Sequence, residues 1–510
     1  MSTSAASSRG HTARRRRLTA RRVPLAFFAA LALGACAVGP DFVRPSAPTG
    51  AGYLPDAGGP AVEGGGGAQR FVTGGALRAD WWKEFGSPAL DATVEEALKG
   101  SPSLAGANAT LRASENQLRA GYGVFFPQVS ASLDATRERL SPSRLGLSGP
   151  ASVFNLFTLQ GAVSYVADVF GGARRRVEAS HAQVELERGT TLATYTTLTA
   201  NVVNTSIARA GYRAEVEATR VSVEATTQRV DLTETQYAAG LAPYASVMNL
   251  KAQLAALKST LPPLEQRADQ ASHLLAVLAG RTPSEWTPPD LRLADFCLPV
   301  ELPLSLPSAL VRQRPDILIA EAQLHEASAE VGASTANLLP TLTLSGELGN
   351  DSTTWRELRN PAGRFWSSGA ELSVPVFQGG ALWYSRKAAV EAYRAARAQY
   401  QQVVLTAFEQ VADTLAALGH DAEAVRAAEE GRDAARTALA LTDANYRVGT
   451  ADYLSLMTAT SQYQAAEIGY LGAVTQRLQD TVALYVALGG GWWNDRAGHV
   501  DDVAPPGTAR

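Results

Sequence analysis

The clearest chemistry in the chain belongs to a cysteine. Cys36 follows Leu33, Gly34 and Ala35, a pattern that resembles a bacterial lipobox. Small residues ahead of the cysteine let a peptidase approach the backbone, and the freed thiol then takes a diacylglycerol. Upstream lie a basic stretch (Arg14, Arg15, Arg16, Arg17, Arg21, Arg22) and an apolar run from Leu25 to Ala35. A run of about 11 residues is too short to cross a bilayer, which takes roughly 17 or more. It reads as a signal peptide over 1–35. The expected covalent group is lipid, N-palmitoyl and S-diacylglycerol at Cys36, with no other cofactor. The competing reading is a signal peptide that merely contains a cysteine. Ala37 is not the aspartate of an inner-membrane retention signal, which implies export to the outer membrane.

No other group of residues has the spacing that catalysis or metal binding needs. Cys297 is the single cysteine besides Cys36, so an internal disulfide is excluded. His11, His181, His273, His325, His420 and His499 are scattered, with no pair at metal-ligand spacing. No phosphate loop, nucleophile elbow or zincin motif occurs. Removing residues 1–35 takes away seven arginines and leaves 39 basic residues against 49 acidic, a net charge of −10. That balance argues against a nucleic-acid partner.

The elements that must carry any function are written twice. Pro102–Pro127 lies on Pro315–Pro340 without a gap, matching Ala107, Ala109, Leu111 and Ala120 to Ala320, Ala322, Leu324 and Ala333. Further on, Tyr237, Gly240, Tyr244 and Met248 fall on Tyr446, Gly449, Tyr453 and Met457. This is a duplicated domain rather than a solenoid. The expected organisation is a lipidated linker over 36–80, a first repeat over 81–300, a second over 301–490 and a flexible tail over 491–510. Each repeat begins with a helix, near 88–122 and 305–337. Two strands follow, near 126–138 and 154–168, then near 340–349 and 364–376. A very long helical stretch completes each repeat, broken once at the Tyr-x-x-Gly turns of Gly240 and Gly449. No proline occurs between Val169 and Ala242, nor between Val376 and Ala504. A straight helix of 60 residues would run roughly 90 Å, so these helices are expected to pack as coiled coils.

The strand runs alternate strictly. Val129, Ala131, Leu133 and Ala135 share one face, and Gln128, Ser130, Ser132, Asp134 and Thr136 the other. The same holds for Phe157, Leu159, Val163 and Tyr165 against Thr158, Gln160 and Ser164. In the second repeat, Leu342, Leu344 and Leu348 oppose Thr341, Thr343 and Glu347, and Trp366, Ala370 and Leu372 oppose Ser367 and Glu371. A period of two over roughly ten residues is the signature of a transmembrane barrel strand. A soluble amphipathic sheet is the alternative. Known barrels start at about eight strands, and a barrel in lipid must close. Four strands per chain therefore demand oligomerisation. Gly171, Gly172, Gly379 and Gly380 sit where strand gives way to helix, as turn residues.

In this order the motifs resemble the TolC-type outer-membrane factor family, in its NodT-like lipoprotein branch associated with RND tripartite efflux systems. They are Val38-Gly39-Pro40-Asp41-Phe42, Trp81-Trp82 with Phe85, Asp168-Val169-Phe170-Gly171-Gly172, Arg314-Pro315-Asp316-Ile317, Pro375–Gly380, Ala407–Asp413, Tyr446–Thr450 and Ala487–Trp492. The resemblance implies a mainly α chain with membrane β structure. It implies a homotrimer closing a 12-stranded β-barrel, four strands per chain, continuous with a long α-helical coiled-coil barrel. It implies no catalysed reaction, a periplasmic adapter (membrane fusion) protein, an inner-membrane RND transporter, and a passive conduit for small molecules. It also implies a periplasmic gate in the inner helix pair of the second repeat. There the stretch from an expected turn at Gly419 to Ala440 holds Glu429, Glu430, Arg432, Asp433 and Arg436, with Asp433 as the ring acid and Arg432 and Arg436 as latch partners. An ordinary solvated helix face is the competing account of those charges. Two other functions stay open: a duct for type I protein secretion, and a structural lipoprotein with no conduit.

Overall fold

A computed structural model describes residues 37–47, 52–53, 69–75, 77–146 and 148–494. The expected signal peptide, Cys36 and residues 495–510 lie outside the described residues. The elements in chain order are β1 (Arg70–Thr73), α1 (Pro88–Gly100), α2 (Pro102–Gly121), β2 (Gln128–Leu140), β3 (Ser152–Ala167), α3 (Gly172–Ala238), α4 (Tyr244–Leu278), β4 (Glu301–Leu304), α5 (Pro307–Gln313), α6 (Pro315–Ala336), β5 (Thr341–Ser352), β6 (Arg364–Ser373), α7 (Ala381–Arg447) and α8 (Tyr453–Ala487). The duplication is visible in the lengths. α3 and α7 each have 67 residues, and α4 and α8 each have 35.

Proline decides where the first helix of each repeat divides. The expected helices at 88–122 and 305–337 are each split, at Ser101 before Pro102 and at Arg314 before Pro315. Ser101 (ψ 117°) and Arg314 (ψ 126°) are extended, the conformation that a following proline enforces. Pro262 and Pro263, by contrast, sit inside α4 without ending it. The expected turn at Gly419 is absent, since α7 is helical throughout and Gly419 lies within it. A lone glycine in a long run of good helix formers costs only about 1 kcal/mol, too little to break the helix.

The chain divides into two compact units. Among the described residues, the strand unit comprises those within 37–42, 117–181 and 325–394, and the helical unit those within 43–116, 182–324 and 395–494. The strand unit holds a four-stranded antiparallel sheet in the order β2-β3-β5-β6. β3 of the first repeat pairs directly with β5 of the second, with Gly161 opposite Leu348. Among the described residues, β2 and β6 are free edges.

The helical unit is where large side chains are buried. Trp81, Trp82 and Phe85 form a short 3-10 turn and are fully enclosed. Trp81 stacks on Tyr485 of α8 at 5.1 Å, and the Tyr485 hydroxyl donates to Glu84. Burial of each such side chain contributes about 1.5–3 kcal/mol. The Arg314 guanidinium closes the same region, donating to the Ala487 carbonyl (2.7 Å), Gln410 (2.7 Å) and Asp316 (2.7 Å). Two expectations of flexibility need correction here. Arg70–Thr73, expected within a free linker, is a strand paired in parallel with β4. At the other end, Trp492 is 4% exposed and its indole N–H donates to the Gln313 carbonyl at 2.8 Å, so the tail is packed as far as Asn494. Both segments are only four or five residues long, below the length at which alternation becomes readable.

The two Tyr-x-x-Gly turns repeat in detail. Gly240 and Gly449 have φ +75° and +77°, and Tyr237 meets Tyr244 at 5.3 Å as Tyr446 meets Tyr453 at 6.4 Å. Open space surrounds a side chain built at Gly240, whereas one at Gly280 (φ +72°) would overlap the Gly100 carbonyl. Gly240→Ala is therefore expected to cost only the left-handed backbone strain, about 1–2 kcal/mol. Gly280→Ala is expected to lower the thermal midpoint by clearly more. Equal midpoints for the two variants would contradict this account.

Candidate functional site

The sheet has two chemically different faces, and register carries each of them across all four strands. Leu133 pairs with Leu159, Ala135 with Phe157, Tyr165 with Leu344, and Leu348 with Trp366. Val129, Leu133, Leu159, Val163, Leu344, Leu348, Trp366 and Leu372 all stand on this one face and all are exposed. An apolar face of that extent is unfavourable in water and marks a lipid or protein contact. The opposite face is mostly Ser, Thr, Gln, Asp and Glu, interrupted by Phe154, Leu156, Val166 and Phe365.

The strand-to-helix junctions show why their motifs have the residues they do. Asp168 caps α3, its carboxylate accepting from the backbone of Ala173 (2.9 Å) and Arg174 (3.0 Å) and from the Arg174 side chain (3.1 Å). Gly171 has φ +80°, and Gly379 and Gly380 have φ +59° and +83°. Gly172 is different, having no positive φ and opening α3 against Ala336, whose Cβ would lie 3.0 Å from a side chain there. At the second junction Val376 and Phe377 are 91% and 88% exposed.

A strap begins next to Cys36 and is held at the first junction. The Val38 amide donates to the Phe170 carbonyl at 3.0 Å, and a side chain at Gly171 would overlap Ala37. Arg175, 4% exposed, donates to the carbonyls of Val38 (3.2 Å) and Gly39 (3.4 Å) and to the carboxylates of Asp41 (2.6 Å) and Glu178 (2.8 Å). Phe42 stacks on His325 at 4.3 Å, and His325 Nε2 lies 3.0 Å from Glu178. The strap was not legible as a docked segment, although its motif was.

In the helical unit the expected gate residues separate into two groups. Arg432 bonds Asp433 (2.9 Å), approaches Glu429 (3.5 Å) and lies over the Tyr470 ring of α8 at 3.9 Å. Arg436 lies 3.8 Å from Asp433 and 3.7 Å from Glu467 of α8. Arg432, Asp433, Arg436 and Glu429 thus form one cluster that ties α7 to α8. Glu430 is exposed and outside it.

Sequence reasoning missed a second cluster on the same helix pair. Asp421 of α7 and Asp480 of α8 face one another beside Arg477, which is 1% exposed and donates to Gln69 at 3.1 Å. Desolvation, then the hydrogen bond and charge of Asp480, push the Asp421 carboxyl up to about 7, with Arg477 opposing. Arg477 in turn is lowered by burial, with Asp421 acting against that. No described group of His, Cys, Asp and Glu has metal-site geometry, and no described helix is long and apolar enough to cross a membrane.

The duplication that builds this sheet and the paired long helices is also what a family comparison finds. The model of the outer membrane efflux protein family matches residues 93–281 and 306–490. The chain belongs to the outer membrane efflux protein family. The pyoverdine export outer membrane protein OpmQ of Pseudomonas aeruginosa is 29% identical over 424 residues, 82% of this chain and 88% of OpmQ. Outer membrane protein OprJ of the same species is 29% identical over 480 residues, 92% of this chain and 96% of OprJ. The solved outer-membrane channel OprN matches with a TM-score of 0.82 at 30% identity, covering 90% of this chain and 100% of that one. This efflux protein is accordingly a channel component of the outer membrane that reaches into the periplasm.

The Asp421 pair of this efflux protein makes a pH prediction. A carboxyl raised from 3.8 to about 7 binds its proton in the folded state where the unfolded chain has released it. The associated stability is complete below pH 3.8 and is lost as pH rises to about 7. Asp421→Asn is expected to flatten the fall in thermal midpoint between pH 5 and pH 7.5 without removing the fold. A slope identical to the parent's would mean that Asp421 titrates normally.

Proposed function

We propose that three copies of this chain close one barrel of twelve strands and form a passive conduit for small molecules, catalysing no reaction. The observation that supports this best is the sheet itself. It has four strands, two unpaired edges and one exposed apolar face. Backbone groups on a free edge cannot be satisfied in hydrocarbon, so β6 of one copy must pair with β2 of the next. Four strands from each of three copies give an even-numbered barrel within the known range. The polar face then lines water and the apolar face meets lipid. A periplasmic adapter and an inner-membrane transporter of the RND class complete the pump, and the export role named for OpmQ supports small-molecule cargo.

The same reading makes Cys36 a lipidation site, N-palmitoylated and S-diacylglycerated. Its neighbour Ala37 is seated against Gly171, where β3 gives way to α3. Acyl chains on Cys36 would therefore enter the leaflet at the helix end of the barrel. Cys36→Ser is expected to reduce delivery to the outer membrane more than pore formation. The check is membrane fractionation beside planar-bilayer recording of the purified variant; a variant unable to form trimers would overturn that division.

The proposed gate is the cluster of Arg432, Asp433, Arg436 and Glu429, where trimer symmetry turns each inward acid into a ring of three. The double variant Arg432→Ala with Asp433→Ala is expected to raise resting single-channel conductance, and conductance equal to the parent's would count against it. The role as a whole is tested by drug susceptibility of a deletion strain. Restored tolerance on complementation is the expected result, and unchanged susceptibility on deletion would sink it.

A further inference from the structure

The strands of the four-stranded sheet segregate charge by sign more completely than they segregate polarity. Five acids occur within them, Asp134, Glu138, Glu347, Asp351 and Glu371, and all five stand on the polar face. Three arginines occur, Arg137, Arg139 and Arg364, and all three stand on the apolar face. Arginine on an apolar face needs a reason, because it is costly at the centre of a bilayer and tolerated only near its interfaces.

The position of the three arginines supplies that reason. Each lies toward the hairpin end of its strand, away from α3 and α7. Arg364 is the first residue of β6, and the next position on its face is Trp366, 77% exposed. Trp355, 59% exposed, packs edge-on against Phe157 of the same face at 5.7 Å. Exposed tryptophan marks headgroup depth, so the arginines stand at or beyond it. The helix end of this face has no counterpart within the strands, because its outermost residues are Val129, Ala167, Leu342 and Leu372. Arg174 and Arg175, nearby, are committed to Asp168, Asp41 and Glu178.

The three side chains are also chemically available. All are exposed, and none makes an ion pair among the described residues. Arg137 meets only the neutral Asn155 side chain, at 3.4 Å. Arg139 is opposite Val153 in register, and Arg364 opposite Asn350. Arg137 and Arg139 belong to one free edge of the sheet and Arg364 to the other. When β6 of one copy meets β2 of the next, they stand on the two sides of one seam.

We propose that Arg137, Arg139 and Arg364 form a binding site for the phosphate groups of the glycolipid in the outer leaflet, repeated at each seam between copies. The inference rests on the barrel reading above, which makes the apolar face outward and the hairpins extracellular. The guanidinium fork matches a phosphate bidentately, and the acyl chains of the same lipid would lie along Leu133, Leu159 and Leu348. A net acidic chain thus carries only cations on the apolar face of these four strands. That arrangement suits retention of lipid around the barrel and protects the seams.

The test uses the purified full-length protein in detergent, titrated with bisphosphorylated lipid A, with the same lipid after dephosphorylation, and with inorganic phosphate. Bisphosphorylated lipid A is expected to raise the thermal midpoint, and the other two to leave it nearly unchanged. The triple variant Arg137→Gln, Arg139→Gln, Arg364→Gln is expected to bind bisphosphorylated lipid A at least tenfold more weakly. The triple lysine variant, which keeps charge but loses the fork, should fall between the two. Equal binding by the parent and the glutamine variant, or equal binding of the dephosphorylated lipid, overturns the proposal. Planar-bilayer conductance separates the two readings. A parent that forms no pore sinks the barrel reading and this site with it. A parent pore, with lipid binding undiminished in a conducting triple glutamine variant, sinks this site alone.

Discussion

A backbone amide inside hydrocarbon has no water to bond, and a strand edge there is a row of such amides. Most features of this chain can be traced to that constraint. Its sheet has four strands, with β3 and β5 inside and β2 and β6 unpaired at the edges. Each repeat contributes one hairpin, and the repeats join through β3 and β5 over eleven register pairs from Phe157–Ser352 to Ala167–Leu342. Duplication therefore halves the number of edges but cannot remove the last two. On the twelve-strand reading proposed above, other copies supply those partners. β2 carries 13 residues and β6 carries 10, with no proline in either. In a soluble protein such edges would invite aggregation. On that reading they are the means of assembly.

Once the edges fix the sheet, the junction below it has to be rigid. Each repeat's second strand must turn into a 67-residue helix within a few residues. The chain achieves this with two devices at the first junction. Asp168 caps the helix start, and Gly171 takes a left-handed conformation while leaving room for Ala37. Arg175 then holds the strap through four separate acceptors while remaining 4% exposed. A buried guanidinium is tolerable only when its donors are so occupied. The strap is thus part of the junction's packing, and an acyl chain on the preceding residue would extend a structure that is already anchored.

The strands and the long helices were legible in the sequence because both are long and strictly periodic. Alternation over ten or more residues leaves one register that buries no polar face in lipid, and a proline-free run leaves little but helix. What escaped was short or tertiary. β1 and β4 have four residues each and exist only because they pair across more than two hundred positions. The Gly419 turn came with the resemblance, and the helix formers around that glycine outweigh it. The breaks at Ser101 and Arg314 were in fact written in the prolines that follow them, and the rule for the residue before proline would have located both. Gate charges could be named from their clustering, but their partners Tyr470, Glu467 and Tyr463 lie on a different helix.

The Asp421 cluster shows a signal that comparison of the repeats does carry. The offset that lays Gly449 on Gly240 and Leu484 on Leu275 places Asp421 on Tyr212, Arg477 on Ala268 and Asp480 on Ala271. At these three positions only the second repeat is charged, although its helices have the lengths of the first. The first repeat has its own buried cation, Arg209, which donates to Ser272 and to the Pro289 carbonyl and is lowered by desolvation. Its counterpart is Leu418. Duplicated domains keep apolar matches wherever packing alone is at stake. A buried charge in one copy against a neutral residue in the other has no such explanation, since each charge must recover its desolvation cost through specific partners. The two helix pairs are therefore built on one backbone plan with different electrostatic interiors. The titratable interior, with Asp421 near neutrality, belongs to the same pair as the Arg432 and Asp433 cluster.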